Sequence, residues 1–481
     1  MRHDRSARIG MSRLSAMLAG LFPLCAGATE HETSGARWTF DNYRPTITSA
    51  DGRFSMSLRA RLQLDAGGFD QADDVDDVTS LHDVEFKHLD SGALVRRAYL
   101  GVEGRAFRDL WYEYRMNFGG SDFGISDPYI QLARVSYNIG SYESGPLFRV
   151  NAGLIKPIFT YNDAMSSASL TFLERAAVVN VATETFGGGS PRLGAELTFQ
   201  QTDFLRSGDN FMISGALTGH IASKRASEIS DDSNNNGTHI LGRIAYRLWS
   251  DGPSNIQLGS SFSRILTVGG PAGPGGARNL SLQDAPEIQI DGNSLVDTGL
   301  IPAKGGGMWG LEAAGNLRSF YVAAEYYQFD IDRDTSCAGC VAANDPAFSG
   351  WYVEASWMLT GETKTYQANA LNNGMATFAN PHVSMPFALD SGGWGAWEIA
   401  ARYSDLDLDW QSGALGTSCP VAGCVRGGEQ NIFSVGLNWY LSNNFRFLFD
   451  YMFIHVDKLG SSGTQIGQDV TVVATRFQFT N

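Results

Sequence analysis

Aromatic residues alternate with other residues along a segment near the C-terminus. In residues 445–453, five aromatic side chains share one face of any β-strand: Phe445, Phe447, Phe449, Tyr451 and Phe453. The opposite face carries Arg446 and Asp450. A soluble sheet would have to bury the aromatic face, and a dry core on the other face would leave both charges without water. Apolar residues outward and charged residues inward are typical of a membrane barrel around a water-filled lumen.

The same alternation, followed back from the C-terminus, predicts an all-β fold: a transmembrane antiparallel barrel of sixteen strands. Connections that should lie on the periplasmic side are mostly short, and those on the outer side are often long and polar. This difference in length is independent of the alternation that defines the strands, so it supports their number. The predicted strands are 52–66, 93–107, 109–118, 129–140, 147–156, 192–203, 210–221, 237–249, 254–267, 307–317, 319–330, 350–360, 395–404, 431–441, 445–453 and 470–479.

Two connections depart from this pattern. Residues 361–393 should form a short periplasmic turn, so either the strand count slips there or the connection contains a special element. The outer connection from Pro157 to Pro191 has a moderately apolar stretch, Met165 to Val181, that would not stay solvated. We expect this third outer loop to fold into the lumen and narrow it; packing over the barrel mouth or at a subunit contact is the alternative. Its selectivity candidates are Ser166, Ser167, Glu174, Arg175 and Glu184.

Inward positions in the first half of the barrel are rich in arginine: Arg59, Arg61, Arg97, Arg115, Arg134, Arg149, Arg192, Arg243 and Arg247, with Tyr99 and Glu103. The second half is more balanced, with Glu312, Glu354, Glu398, Arg402, Arg446, Asp450 and Arg476. Arginines around a wet channel attract anions, because low-dielectric walls focus their field along the axis. Alternatively, these arginines pair with lumen acids such as Glu103, Glu113 and Glu196 and only stabilise the wall.

The N-terminus resembles an export signal. Arginines precede an apolar run from Leu14 to Leu24, followed by Ala26-Gly27-Ala28, which has the form of a signal-peptidase site. Either Met1 or Met11 could be the start of this segment. We therefore expect a signal peptide at 1–28, a polar lead-in at 29–51 and a barrel at 52–481, in the outer membrane of a Gram-negative bacterium.

Composition excludes two classes. No segment has the roughly 18 consecutive apolar residues of a transmembrane helix, and the mean hydropathy is −0.16. The net charge of −15 becomes about −18 without residues 1–28, which argues against a nucleic-acid partner. Many of the acids fall in predicted outer loops.

Four cysteines form two close pairs, Cys337 with Cys340 and Cys419 with Cys424. Such spacings can hold zinc, but behind a signal peptide they favour disulfides. Pairing within or between the two clusters stays open.

Nothing in the sequence predicts a catalytic site, a metal or a cofactor. The eight histidines form no HExxH or other catalytic spacing. A barrel enzyme with a nucleophile at its rim and a secreted β-rich binding protein are the alternatives to a channel.

Four segments resemble signatures of the phosphate-selective porin O/P family: Arg96 to Gly101, Tyr352 to Glu362, Gly395 to Ser404 and Gly436 to Leu441. The resemblance implies a sixteen-stranded outer-membrane barrel that contacts lipid and lipopolysaccharide. It also implies a homotrimer through which small anions, phosphate or related solutes, diffuse passively. A general porin with weak selectivity is the alternative.

By position, the resemblance implies that the phosphate route includes Arg96, Arg97, Asp127 and the pair Ser166 and Ser167. Members selective for phosphate have a lysine shortly before the serine pair, where this chain has Asp163. Lys156, the nearest lysine, begins the loop. A negative charge inside the constriction predicts weaker anion binding.

Overall fold

The computed structural model describes most of the chain. The described residues are 35–41, 43–71, 87–107, 109–120, 128–140, 148–187, 191–221, 237–270, 276–337, 340–368, 375–390 and 392–481. Two features predicted from the sequence, the signal peptide at 1–28 and the route residue Asp127, lie outside them.

Sixteen antiparallel strands form a closed barrel. Each pairs with the next along the ring, and the last strand closes the ring by pairing with the first, for example at Phe477↔Leu64. The barrel strands are β3 (Ser55–Gln71), β4 (Gly92–Ala106), β5 (Leu110–Asn117), β6 (Tyr129–Ile139), β7 (Phe148–Ile155), β8 (Arg192–Thr202), β9 (Asn210–Ile221), β10 (Thr238–Asp251), β11 (Ser254–Thr267), β15 (Ile301–Leu317), β16 (Phe320–Arg333), β17 (Ala347–Met358), β20 (Ala396–Trp410), β21 (Val425–Tyr440), β22 (Phe445–Asp457) and β23 (Asp469–Thr480).

This architecture confirms the predicted barrel and its sixteen strands. On β22, Phe449, Tyr451 and Phe453 are exposed on the outer surface, whereas Arg446 and Asp450 are buried on the lumen side. The alternation is readable because successive side chains of a strand point to opposite faces. In the described part of the chain, no helix combines the length and the apolar character needed to cross a membrane.

The segment predicted as a polar lead-in contains a hairpin. Its strands β1 (Ala36–Asp41) and β2 (Arg44–Ser49) pair with each other, and β2 continues along the start of β3 through Thr46↔Ser57. Arg44 reaches the lumen, where it forms an ion pair of 2.8 Å with Glu103. The hairpin therefore extends the barrel wall at the end where most connections between strands are short, which we call the short-turn end.

The long connection at 361–393 contains an additional hairpin, so the count of barrel strands is unchanged there. Strands β18 (Lys364–Gln367) and β19 (Thr377–Pro381) pair as a hairpin, which we call the lumen hairpin. Arg243 of the barrel wall donates to the carbonyl oxygens of Met375 (3.1 Å) and Ala376 (2.8 Å). The hairpin thus folds into the barrel from the short-turn end and packs against the β10 wall.

The third outer loop also enters the lumen, as predicted, and the alternative position over the barrel mouth is wrong. We call its described part, residues 157–187, the inner loop; it contains α1 (Tyr161–Ala164) and α2 (Ala177–Phe186). Wall side chains bind its backbone. The Leu173 N–H donates to Asp450 (2.8 Å), and Arg446 donates to the Leu170 carbonyl (2.8 Å).

A further outer connection covers the inner loop. Its short strands are β12 (Asn279–Leu280), β13 (Gln283–Asp284) and β14 (Val296–Asp297). Buried Glu287 accepts a hydrogen bond from the Ala177 N–H (2.8 Å) and forms an ion pair with Arg402 of β20. The three inserted segments therefore fill the lumen beside the later strands.

The four cysteines pair within their clusters, as Cys337–Cys340 and Cys419–Cys424. Both disulfides lie in outer loops. The two loops are in contact, because Arg333 donates to the Gly423 carbonyl.

Arg243→Ala should lower the free energy of unfolding by about 3 kcal/mol, because removing one member of a buried ion pair leaves an uncompensated charge. The pair with Glu312 (2.8 Å) is almost fully buried, with side-chain exposures of 0% and 2%. Urea titration in detergent micelles measures the change. The matched control is Arg264→Ala, whose pair with Asp332 is 50% and 33% exposed; it should change stability by less than about 1 kcal/mol. Equal losses in the two variants would contradict the argument.

Candidate functional site

The lumen remains open beside β3 to β7. We call this space the opening. Among the described residues that line it, seven are basic and one, Glu113, is acidic. The lining residues are Arg59, Arg61, Arg97, Tyr99, Glu113, Arg115, Gln131, Leu132, Arg134, Lys156, Ala164, Met165, Ser166, Ser167 and Arg175.

Strand geometry places two arginine pairs on the inner face. Arg59 and Arg61 are two residues apart on β3, so they share a face. Arg96 and Arg97 are adjacent, and simple alternation would turn one of them outward. The ladder shifts there, from Gln63↔Arg97 to Leu64↔Val95, so Arg96 occupies a β-bulge. The bulge lets both guanidiniums reach the inner loop.

Arg61 holds the serine pair. It donates to the hydroxyl of Ser167 (2.6 Å) and to that of Ser166 (2.9 Å), and its guanidinium lies over the Tyr99 ring, 5.6 Å from the centroid. Among the described residues, no carboxylate oxygen lies within 4.0 Å of Arg61. Its positive charge is therefore shared with hydroxyl groups and left without a neutralising partner.

The other wall arginines are partly neutralised. Arg59 forms an ion pair with Glu103 (2.8 Å), and Arg134 forms one with Glu113 (2.9 Å). Arg115 is 3.8 Å from Glu113 and donates to Gln131 (2.6 Å). Lumen arginines therefore do pair with Glu103 and Glu113, as the alternative interpretation of the sequence expected. Glu196 differs, since it accepts from the Ile158 N–H (2.6 Å) and from the Asn151 amide (2.7 Å).

Glu174 of the inner loop binds three guanidiniums. It lies 2.8 Å from Arg96, 3.3 Å from Arg97 and 2.6 Å from Arg476. Burial opposes ionisation of this carboxyl, but the three positive charges outweigh burial and hold the pKa of Glu174 well below its usual range. Arg96 and Arg97 are therefore fixed by the loop, and Arg97 also borders the opening.

Asp163 does not project a negative charge into the opening. Its side chain is 1% exposed and forms ion pairs with Lys156 (2.7 Å) and Arg175 (3.8 Å). Burial lowers the pKa of Lys156 to about 8 and Asp163 opposes that shift, so Lys156 remains mainly protonated at pH 7. Lys156 and Arg175 both line the opening. The predicted charge reversal is thus compensated locally by these two residues.

Among the described residues in and around the opening, basic groups outnumber acidic ones by ten to five. The carboxylates are Asp65, Glu103, Glu113, Asp163 and Glu174. The basic groups are Arg44, Arg59, Arg61, Arg96, Arg97, Arg115, Arg134, Lys156, Arg175 and Arg476. The excess of positive charge lies along one side of the lumen.

Other predicted lumen residues lie away from the opening. Arg243 is paired with Glu312 beside the lumen hairpin, Arg192 contacts His239 (3.2 Å), and Arg247 donates to Asn255 (3.2 Å). Arg149 donates to Asn138 (3.0 Å). Sequence alternation placed these residues on the lumen face, but it could not show which part of the lumen the inserted segments would fill.

Lys156 and Met165 line the opening, although the sequence did not predict them as site residues. Arg175, predicted as a selectivity candidate, also lines the opening and donates to the carbonyl oxygens of Asn162 (3.2 Å) and Met165 (3.1 Å). Loops have no residue period from which a facing direction can be read. Among the described residues, no group of three or more histidine, cysteine, aspartate or glutamate side chains could hold a metal ion.

The family of phosphate-selective porins O and P matches residues 57–480. Porin O of Pseudomonas aeruginosa is 24% identical over 457 residues, which cover 90% of this chain and 90% of that protein. An uncharacterized protein of Caulobacter vibrioides is 25% identical over 412 residues, covering 85% of this chain and 69% of that protein. Among solved structures, OmpT of Vibrio cholerae covers 89% of this chain and 98% of its own length, at 8% identity and a TM-score of 0.47.

Glu174→Gln should loosen the inner loop, because it removes the negative charge that binds three guanidiniums. Hydrogen–deuterium exchange should then be faster in residues 166–176 and unchanged in the barrel strands. Glu184→Gln is the control, since Glu184 is exposed on the same loop and has no ion pair within the described residues. The same exchange pattern in both variants would show that Glu174 does not hold the loop.

Proposed function

The chain belongs to the phosphate-selective porin O and P family, and from this premise we propose that it passes small anions, phosphate or related oxyanions, through the arginine-lined opening. As a member of that family it is an outer-membrane channel for small solutes, not an enzyme. Transport is passive diffusion down a gradient, in which no bond is made or broken.

The composition of the opening carries the proposal. Seven basic side chains and one carboxylate line it among the described residues, so the field in the constriction favours anions and repels cations. Low-dielectric walls strengthen this effect by focusing the field along the axis. Two unit charges 4 Å apart interact by about 1 kcal/mol even in bulk water, and more strongly near a protein wall. The excess of basic over acidic groups among the described lining residues is therefore sufficient to bias permeation.

The opening offers donors that can replace the water around an anion. Guanidinium N–H groups bind oxyanions in a planar, two-pronged geometry. Arg61 supplies such a group beside the hydroxyls of Ser166 and Ser167. The guanidinium of Arg115 lies over the same Tyr99 ring, 4.8 Å from its centroid. An anion can pass from one hydrogen-bond donor to the next along this wall. Conduction requires that its binding to each donor be weak enough for rapid release.

Two features support phosphate or a related oxyanion as the solute. The first is the sequence resemblance described above. The second is the placement of Lys156 and Arg175, which neutralise Asp163 and leave the positive field intact. The homotrimer implied by the resemblance is part of the same proposal.

Single-channel recording in a planar bilayer tests the proposal. Under a KCl gradient, the reversal potential should have the sign set by chloride, and added phosphate should reduce the chloride current. A reversal potential set by potassium, or one near zero, would overturn the proposal of an anion channel. Chloride selectivity without a phosphate effect would indicate an anion channel for other solutes.

Arg61→Gln removes a charge that no described carboxylate pairs with. It should lower the ratio of chloride to potassium permeability, because it takes a positive charge from the lining of the opening. Arg264→Gln, on the exposed end of β11, is the control and should leave the ratio unchanged. If the two variants behave alike, the Arg61 charge does not govern selectivity.

Asp163→Asn should raise the ratio of chloride to potassium permeability by about fivefold, the factor that corresponds to roughly 1 kcal/mol at close range. The substitution leaves Lys156 and Arg175 without their shared counter-charge. Reversal potentials of the variant and the parent give the ratio directly. A lower ratio in the variant would mean that Asp163 acts by positioning Lys156, not by reducing the positive field.

A further inference from the structure

A segment outside the barrel wall follows the lumen hairpin. Between β19 and β20 the described residues 382–390 and 392–395 form what we call the rim segment. Its base is fixed at the short-turn end, where the Val383 N–H donates to the Asn443 side chain (2.8 Å) and the Phe387 N–H donates to the Leu441 carbonyl (2.7 Å). The rim segment is thus held at the edge of the wall.

Two tryptophans show on which side of the wall the rim segment lies. Trp397 of β20 and Trp439 of β21 point outward, because their neighbours Ala396, Glu398 and Asn438 are buried toward the lumen. Both indole N–H groups donate to the carbonyl oxygen of Trp394, at 3.2 Å and 2.8 Å. Trp394 therefore lies on the outer face of the barrel.

The rim segment continues the aromatic outer surface. The Phe387 ring packs edge-on against Trp439 (5.3 Å between centroids), and Trp439 stacks on Trp397 (5.1 Å). Ring contacts then lead from Trp439 to Phe447 (6.0 Å) and from Phe447 to Phe477 (5.2 Å). All these rings lie near the short-turn ends of their strands. The segment is continuous with the surface that the barrel presents to the membrane.

Three apolar side chains of the rim segment are exposed, beside the exposed carboxylate of Asp390. Leu389 is 90% exposed, Trp394 is 70% exposed and Met385 is 62% exposed. Exposed apolar side chains grouped in this way are costly in water and mark an interaction surface. Aromatic girdles of outer-membrane barrels lie at the level of the lipid headgroups.

The backbone of the rim segment suits an apolar environment. The Gly395 N–H donates to the Met385 carbonyl (3.0 Å), and the Ala388 N–H donates to the Gly393 carbonyl (3.0 Å). Gly395 has a φ of 69°, and a Cβ there would lie 2.3 Å from the Tyr440 carbonyl oxygen. Only glycine permits this close approach. Both of these backbone hydrogen bonds are made within the protein, as lipid contact requires.

We propose that the rim segment is a membrane foot, which inserts Leu389, Trp394 and Met385 among the phospholipids of the leaflet at the short-turn end. The apolar side chains enter the boundary between headgroups and acyl chains. The indoles of Trp397 and Trp439 donate to the foot instead of to lipid or water. The occupant is a phospholipid surface, because the foot is continuous with the lipid-facing wall.

The foot would also connect the inner loop, which narrows the lumen, to the bilayer through a short stretch of chain. Only a few residues separate Val383 from Asn380, whose amide donates to the Ala168 carbonyl of the inner loop (2.9 Å). Ala168 directly follows the serine pair. One short stretch of chain thus contacts the lipid surface at one end and the loop of the opening at the other. The inference rests on the outer-membrane location and not on the solute that passes.

Fluorescence quenching tests the foot. Leu389→Cys is labelled with an environment-sensitive fluorophore in the full-length barrel, without reductant, so that the two disulfides stay intact. The protein is reconstituted in phosphatidylcholine vesicles whose acyl chains are brominated near the headgroups. The label should lose most of its emission in brominated vesicles compared with unbrominated ones, and should resist quenching by aqueous iodide.

Ala50→Cys is the matched control, because Ala50 is exposed in the turn between β2 and β3 at the same end of the barrel. Its label should respond to iodide and not to brominated lipid. The proposal is overturned if the label at position 389 responds to iodide as the control does. Protection of position 389 from both quenchers would also overturn it, since that result means a protein contact. None of these outcomes depends on ion selectivity, so a failed foot and a failed anion channel are distinguishable.

Discussion

The structure depends on one constraint: buried backbone N–H and C=O groups must have hydrogen-bond partners. A loop that crosses a barrel exposes its N–H and C=O groups to an interior where each unpaired group is costly. Here the charged wall supplies the partners. Asp450 accepts from the Leu173 N–H, Arg446 donates to the Leu170 carbonyl, and Glu325 accepts from the N–H groups that begin α1. These charged lumen side chains therefore serve as hydrogen-bond partners of the inner-loop backbone.

The same constraint explains why one side of the lumen stays open. On the later strands, charged side chains of the wall bind the inserted segments. Arg402 forms an ion pair with Glu287, and Arg243 donates to carbonyl oxygens of the lumen hairpin. On β3 to β7 the inner loop contributes only its edge, where Ser166 and Ser167 meet Arg61. Among the described residues, the basic groups there outnumber the carboxylates. Filling one half of the barrel thus concentrates positive charge in the other half.

The position of the opening between loop and wall makes its chemistry dependent on loop geometry. Glu174 anchors the loop to three guanidiniums, and Asp163 keeps Lys156 and Arg175 at the turn around α1. An acidic residue near the serine pair is therefore compatible with a positive constriction. Its effect depends on which cations it contacts, and the order of residues along the chain does not reveal those contacts.

The sequence by itself determined the barrel, its sixteen strands and the lumen-facing set, because a strand turns successive side chains to opposite faces and lipid demands apolar ones. It also indicated an inward third loop, from an apolar stretch that water would not solvate. Only the tertiary structure decided that Arg96 turns inward at a β-bulge, that residues 361–393 form a lumen hairpin, and that Asp163 is neutralised. These features depend on contacts between residues far apart in the chain, and such contacts leave no periodic pattern in the sequence.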